Sequence, residues 1–166
     1  MQISIMKSLF FIYVKDLLLV YVGLGINSIK LSKMNYFKIL LYFTAGEIIV
    51  TILLGKYITN IHVLKSYILC LLLILLYKRF ANIDWLSAVI SSLSGYVIYL
   101  LGGFINLQIL SYFFSLKTDV ILKSDYIYSI IFYLFNFPLL ISAWLIYRFN
   151  FILFDLDDEE FKFGHK

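Results

Sequence analysis

Five side chains in this sequence could pair ions, move protons or attack a carbonyl in surroundings where water is scarce: Lys15, Asp16, Glu47, His62 and Cys70. Glu47 sits in Thr44-Ala45-Gly46-Glu47, inside an otherwise apolar run whose small residues let another helix come close. A charge at the centre of a membrane helix costs about 2.5–3.5 kcal/mol on insertion scales, so each one there needs a partner or a task. Glu47 would serve as a proton or cation site, or as the counter-ion of a peptide ligand. The plainer reading has it protonated or paired with Lys15 inside a bundle. Lys15 and Asp16 are neighbours, about 100° apart on a helix, and so do not face one partner together. A lysine snorkelling to the interface from a shifted span boundary accounts for the first of them.

His62 and Cys70 have the residue types of a cysteine peptidase, in which imidazole activates a thiolate. Eight residues of helix separate such a pair by about 80° and about 12 Å along the axis, so they meet only if the chain breaks between them. Cys70 lies in an unbroken Leu/Ile run, the usual setting of a buried, inert thiol. His62 opens that run and reads as an interfacial residue on the ligand-facing side. The sequence has no Walker A loop, no HExxH, no Rossmann glycine pattern and no aspartate pair of the membrane aspartyl-peptidase kind. A single cysteine excludes a disulfide framework and a zinc ribbon, so neither a metal nor a cofactor is expected.

The elements that carry these residues follow from composition. The chain has 166 residues, 63% hydrophobic and 14% charged, where a soluble domain is about 45–50% apolar and about 25% charged. Lipid is the solvent this excess requires. The 14 basic residues are scattered in ones and twos, which argues against nucleic acid as a partner. Long Leu/Ile/Phe/Tyr runs without alternation select helices over barrel strands. The expectation is an all-α integral membrane bundle of about five transmembrane helices over residues 1–154, followed by a short acidic tail over 155–166.

The five spans run from about Leu9 to Ile26, Tyr36 to Gly55, Val63 to Tyr77, Trp85 to Phe114 and Tyr126 to Tyr147. The first is read as a permanent span, because Lys15 and Asp16 interrupt it and no small-x-small cleavage site follows. The fourth is too long for one perpendicular helix. Gly102 and Gly103 near its middle predict a kink, a break or a re-entrant second half, with polar Asn106, Gln108 and Ser111 beyond. Pro138 predicts a kink in the fifth, and Asn136 is placed to satisfy the groups that kink frees. Ser87, Ser91 and Gly95 recur every fourth residue and form a packing seam, for a neighbouring span or a second copy.

Basic residues set the orientation. One side gathers Lys30, Lys33, Lys38, Lys78, Arg79 and Arg148, with the tail's Lys162 and Lys166; the other gathers Lys7, Lys56, Lys65, Lys117 and Lys123. This places the N-terminus outside and the C-terminus in the cytoplasm, with Tyr77, Trp85 and Tyr147 at interface depth.

The stretch Ile58-Thr59-Asn60-Ile61-His62-Val63-Leu64, then Tyr77-Lys78-Arg79-Phe80, then Ile83 to Ala88 and the glycine-rich middle of the fourth span carry a resemblance. From about Asn35 to Arg148 the chain resembles the multi-pass sensor region of quorum-type histidine kinases of the accessory gene regulator class, found in low-GC Gram-positive bacteria, and related stand-alone small membrane proteins. The resemblance implies a sensor-like helical bundle in a bacterial cell membrane. It would bind a peptide or small-molecule ligand and act through a membrane kinase or a homo-oligomer, with no catalysis of its own. Two alternatives accompany it. The peptidase of the same signalling systems uses a His and a Cys, but Asn60 and Ile61 stand where glycines would precede His62. The substrate-binding subunit of a small-molecule transporter has a similar size and span number, but the first span lacks its alanine-rich coupling motif.

Overall fold

The structure is a computed structural model; it describes the backbone of residues 5–57, 61–114 and 125–154, and side chains at 9–54, 64–105, 108 and 129–154. The described residues form five α-helices: α1 (Ile5–Gly25), α2 (Lys33–Tyr57), α3 (Ile61–Leu76), α4 (Trp85–Phe114) and α5 (Asp125–Phe149). A π-helical turn, Tyr77–Ala81, extends α3 and stops at Asn82, whose φ of 55° reverses the chain. Three helices are long and apolar enough to cross a membrane, over Lys33–Leu54, Trp85–Ile105 and Ser129–Phe149. By contrast, α1 carries Lys7, Lys15 and Asp16, and α3 has only 16 residues, about 24 Å of rise against a hydrocarbon core of about 30 Å.

The hub of the bundle is α1, which packs on α2, α4 and α5, while α3 closes the far side against α2 and α4. Its residues Leu18, Leu19, Val20, Val22 and Leu24 are all buried. Large apolar side chains such as Leu41, Ile49, Leu93, Leu100, Phe137 and Trp144 point outward from α2, α4 and α5. An outer face of this kind is stable where the solvent is apolar. In an apolar solvent helices have no hydrophobic gain from association, so close packing and polar bonds would have to hold them.

Small residues supply that closeness. A Cβ at Gly23 would stand 2.7 Å from the Ser91 carbonyl oxygen, and one at Gly95 would stand 3.1 Å from the Leu19 carbonyl oxygen. Ser87, Ser91 and Gly95 are buried and lie on the face of α4 that meets α1, so this stripe packs within the chain. A second crossing explains the glycine pair. The backbone runs as one helix through Gly102 and Gly103, so the expected break is absent. Gly102 is instead where α5 approaches, with a notional Cβ 2.5 Å from the Phe135 carbonyl oxygen and 3.0 Å from Pro138 Cδ. The glycines remove bulk at a contact and leave the helical hydrogen bonds in place. Pro138 lies inside α5. Asn136 donates from Nδ2 to the Phe132 carbonyl at 2.8 Å, whereas the helical N–H that a proline at 138 lacks would point to residue 134, four residues before it. The role expected for Asn136 is therefore corrected: it bonds one turn behind itself.

Tyr77, expected at interface depth, is fully buried, and its hydroxyl donates to the Val20 carbonyl of α1 at 3.4 Å, so it is a residue of the core. Beyond α5, Asn150 takes a left-handed φ of 48° and the chain folds back over the end of α1. There Leu153 donates its backbone N–H to the Ile26 carbonyl at 2.7 Å.

Candidate functional site

Three helices bring four charged side chains to one place inside this apolar bundle. Lys15 of α1 is 14% exposed, and its Nζ donates to Glu47 Oε2 of α2 and lies 3.3 Å from Asp16 Oδ1. Lys65 of α3 reaches the other oxygen of the same glutamate, with Nζ 3.0 Å from Oε1. Asp16 is fully enclosed and Glu47 nearly so. The four formal charges sum to zero, which is the condition for burying ions where an uncompensated one is prohibitive. From α4, the Tyr99 ring lies 5.7 Å from the Lys15 ammonium, within cation–π range. The Thr51 hydroxyl donates to the Glu47 carbonyl at 2.6 Å and so needs no partner from the cluster.

The local sequence explains how Glu47 becomes bidentate. Gly46 lets Leu72 of α3 press against α2, which draws the two helices together beside the carboxylate. That contact sets the hairpin register, in which Glu47 is level with residue 71. Lys65 stands six residues lower, about 9 Å along the axis, a gap that two extended side chains close.

The snorkelling expected of Lys15 does not occur: it turns inward, because two carboxylates await it there. Adjacent to Asp16 in sequence, it still reaches that carboxylate through its own long arm while holding Glu47. The expected Lys15–Glu47 pairing is present. Lys65, assigned by sequence to the loop charges, was the missed member. No motif marks it; the only available signal was its position one turn inside the apolar run instead of before it.

A cavity of about 260 Å³ adjoins the cluster between α1, α4 and α5, lined by Lys15, Tyr99, Asn136, Phe11, Phe132 and Phe135 among others. Asn136 is 2% exposed, and its Oδ1 has no hydrogen-bond partner. The chemistry available here is binding and ion pairing. On α3, Cys70 Sγ lies 3.5 Å from Ser92 Oγ, and Ser92 donates to the Cys70 carbonyl at 3.2 Å. Since α3 is unbroken from Ile61 onward, His62 and Cys70 are held about 12 Å apart along its axis; the His62 side chain lies outside the described residues. Among the described residues no group of three or more His, Cys, Asp or Glu side chains is placed to hold a metal.

No family model, curated protein or solved structure matches the chain. The reading of its function therefore rests on the residues themselves.

A larger cavity, of about 700 Å³, opens at the opposite ends of α1 and α5, where α2 begins. Its walls come from Tyr21, Leu24, Ile146, Tyr147 and Phe151, with Lys30 and Lys33 at the polar edge. The turn leaving α1 shapes it. Ile29 donates to the Leu24 carbonyl at 3.1 Å, Ser28 takes a left-handed φ of 62°, and Asn27 Nδ2 ties back to the Gly23 carbonyl at 2.8 Å. The fold gathers Lys30, Lys33, Lys38, Lys78, Arg79 and Arg148 at this end. The acidic tail, residues 155–166, lies outside the described residues.

Proposed function

We propose that this chain is a five-span protein of a bacterial cell membrane, with its N-terminus outside and its C-terminus cytoplasmic, that acts as a sensor-like or regulatory subunit without catalysis of its own. The charged helix α1 and the short helix α3 span together with the three long apolar ones, their charges sharing one neutral cluster. The observation that carries this reading is the Lys15–Asp16–Glu47–Lys65 cluster beside its own small cavity. It ties α1, α2 and α3 by ion pairs, so a ligand or partner that competes for one member shifts three helices together. Paired charges of this kind relay a rearrangement; they do not form a nucleophile and base. The separation of His62 from Cys70 on one helix supports the same conclusion. The six cations at the end that includes the close of α5 support the orientation.

Affinity purification of the full chain from its native host in mild detergent, with mass spectrometry of bound proteins and small molecules, tests the proposal. Recovery of a membrane kinase or of a second copy in stoichiometric amount is the expected result. Recovery of an ATPase together with a vitamin-like molecule would make the chain a transporter subunit instead. Loss of precursor-peptide cleavage on Cys70→Ala would make it a peptidase.

A further inference from the structure

We infer that the 700 Å³ cavity at the basic end is a binding site for one anionic phospholipid, its phosphate held by Lys30 and Lys33 and its upper acyl chain lying on Leu24, Ile146 and Phe151. The volume falls within the range of small-molecule sites, about 300–1,000 Å³. Among the described residues, neither lysine has a carboxylate partner and no acidic side chain lines the cavity. The two lysines of the bundle interior differ, since Lys15 and Lys65 are both paired with carboxylates. Two cations on one rim, with no carboxylate partner among the described residues, above apolar walls match a molecule that is anionic at one end and hydrocarbon at the other. Lys33 is also the first residue of α2, whose N-terminal turn is capped by Ser32 and favours an anion.

The nearest competing occupant is the chain's own acidic run, Asp155 to Glu160, which begins three residues after the wall residues Phe151 and Ile152. It has the right charge but only Leu156 to offer the apolar walls. A phospholipid satisfies both parts of the site.

This inference rests on the membrane reading, and the two fail separately. Retention of the chain in membranes after an alkaline carbonate wash tests the membrane reading alone. The cavity is tested by native mass spectrometry of the full purified chain in mixed micelles with phosphatidylglycerol or phosphatidylcholine of the same acyl chains. The unaltered chain should retain one phosphatidylglycerol, with a preference over phosphatidylcholine of roughly 10- to 30-fold from two lysines at a membrane surface. Lys30→Gln/Lys33→Gln should abolish that preference. Lys38→Gln, at the same end but not lining the cavity, should keep it. Equal retention of the two lipids by the unaltered chain would overturn the assignment, as would an equal loss in Lys38→Gln, which would mean diffuse charge. Displacement of the lipid by inorganic phosphate at equal concentration would show that the apolar walls contribute nothing. A preference that appears only after Asp155, Asp157, Asp158, Glu159 and Glu160 are changed to amides would make the tail the occupant.

Discussion

Glu47 is the residue on which the buried charges depend, because it is the one carboxylate that both lysines share. Glu47→Gln leaves Lys15 with Asp16 alone and removes the carboxylate that Lys65 reaches. Removing one partner from a buried pair typically costs about 3–5 kcal/mol, and a loss in that range is expected in unfolding measurements in detergent. Lys65→Met should cost clearly less, since Lys65 is more exposed and Lys15 still neutralises the glutamate. If the two variants proved equally destabilised, the hierarchy within the cluster would be wrong. Cys70, half-buried against Ser92, should react slowly with a membrane-impermeant maleimide. A cysteine placed at exposed Arg79 should react many times faster in the same preparation. At this scale the sequence spoke clearly about Lys15, Asp16 and Glu47, because a charge in an apolar run has to be explained. It was silent on Lys65, whose place at the beginning of a run is also where loop lysines stand, and whose pairing depends on a hairpin register set by Gly46 and Leu72.

Between helices, the energetics turn on a few positions where backbones nearly touch. Gly102 and Gly103 make a contrast within one dipeptide. A methyl at Gly102 meets the Phe135 carbonyl, a backbone group that cannot rotate away, whereas at Gly103 the nearest atoms are Phe135 ring carbons at 3.6 Å, an ordinary contact. Gly102→Ala should therefore destabilise by about 1–3 kcal/mol through overpacking. Gly103→Ala should be neutral or stabilising by up to about 1 kcal/mol, since alanine is the better helix former. Thermal unfolding of the two single variants side by side decides it. The same residues show why helices were legible and their contacts were not. Hydropathy located all five helices to within a few residues, because run length is a one-dimensional property. Whether a glycine pair breaks a helix or admits a neighbour depends on what lies across from it, and Phe135 lies thirty-odd residues away. The π-helical turn at Tyr77–Ala81 was invisible for a similar reason: it serves the burial of Tyr77 against α1.

For the molecule as a whole, the proposed five spans would place the two ends of the chain on opposite sides of the membrane, whereas three helices are by themselves long and apolar enough to cross it. A fluorescent reporter that matures only in the cytoplasm should be bright when fused after Lys166 and dark when fused before Met1. Export-dependent phosphatase fusions should give the opposite pattern. Bright signal from both ends would require an even number of spans and would remove α1 or α3 from the membrane. The bundle also has a polarity of a different kind. One end gathers six cations, two of them on the rim of a large cavity, while the neutral cluster and its small cavity lie between the helices. A variant that empties the first should leave the second folded, and the distance between them makes their effects on stability additive to within about 0.5 kcal/mol.

The distribution of the four charges over α1, α2 and α3 also has a consequence for biosynthesis. Lys15 and Asp16 emerge from the ribosome first, Glu47 some thirty residues later and Lys65 later still. With α1 as a span, as proposed, it would have no stable place in hydrocarbon until α2 arrives, since each of its two central charges carries an insertion cost of about 2.5–3.5 kcal/mol. The nascent chain would then wait at the insertion machinery and enter the bilayer as a hairpin of α1 and α2, completed by α3. The helix that becomes the centre of the folded bundle is the one that cannot be released alone.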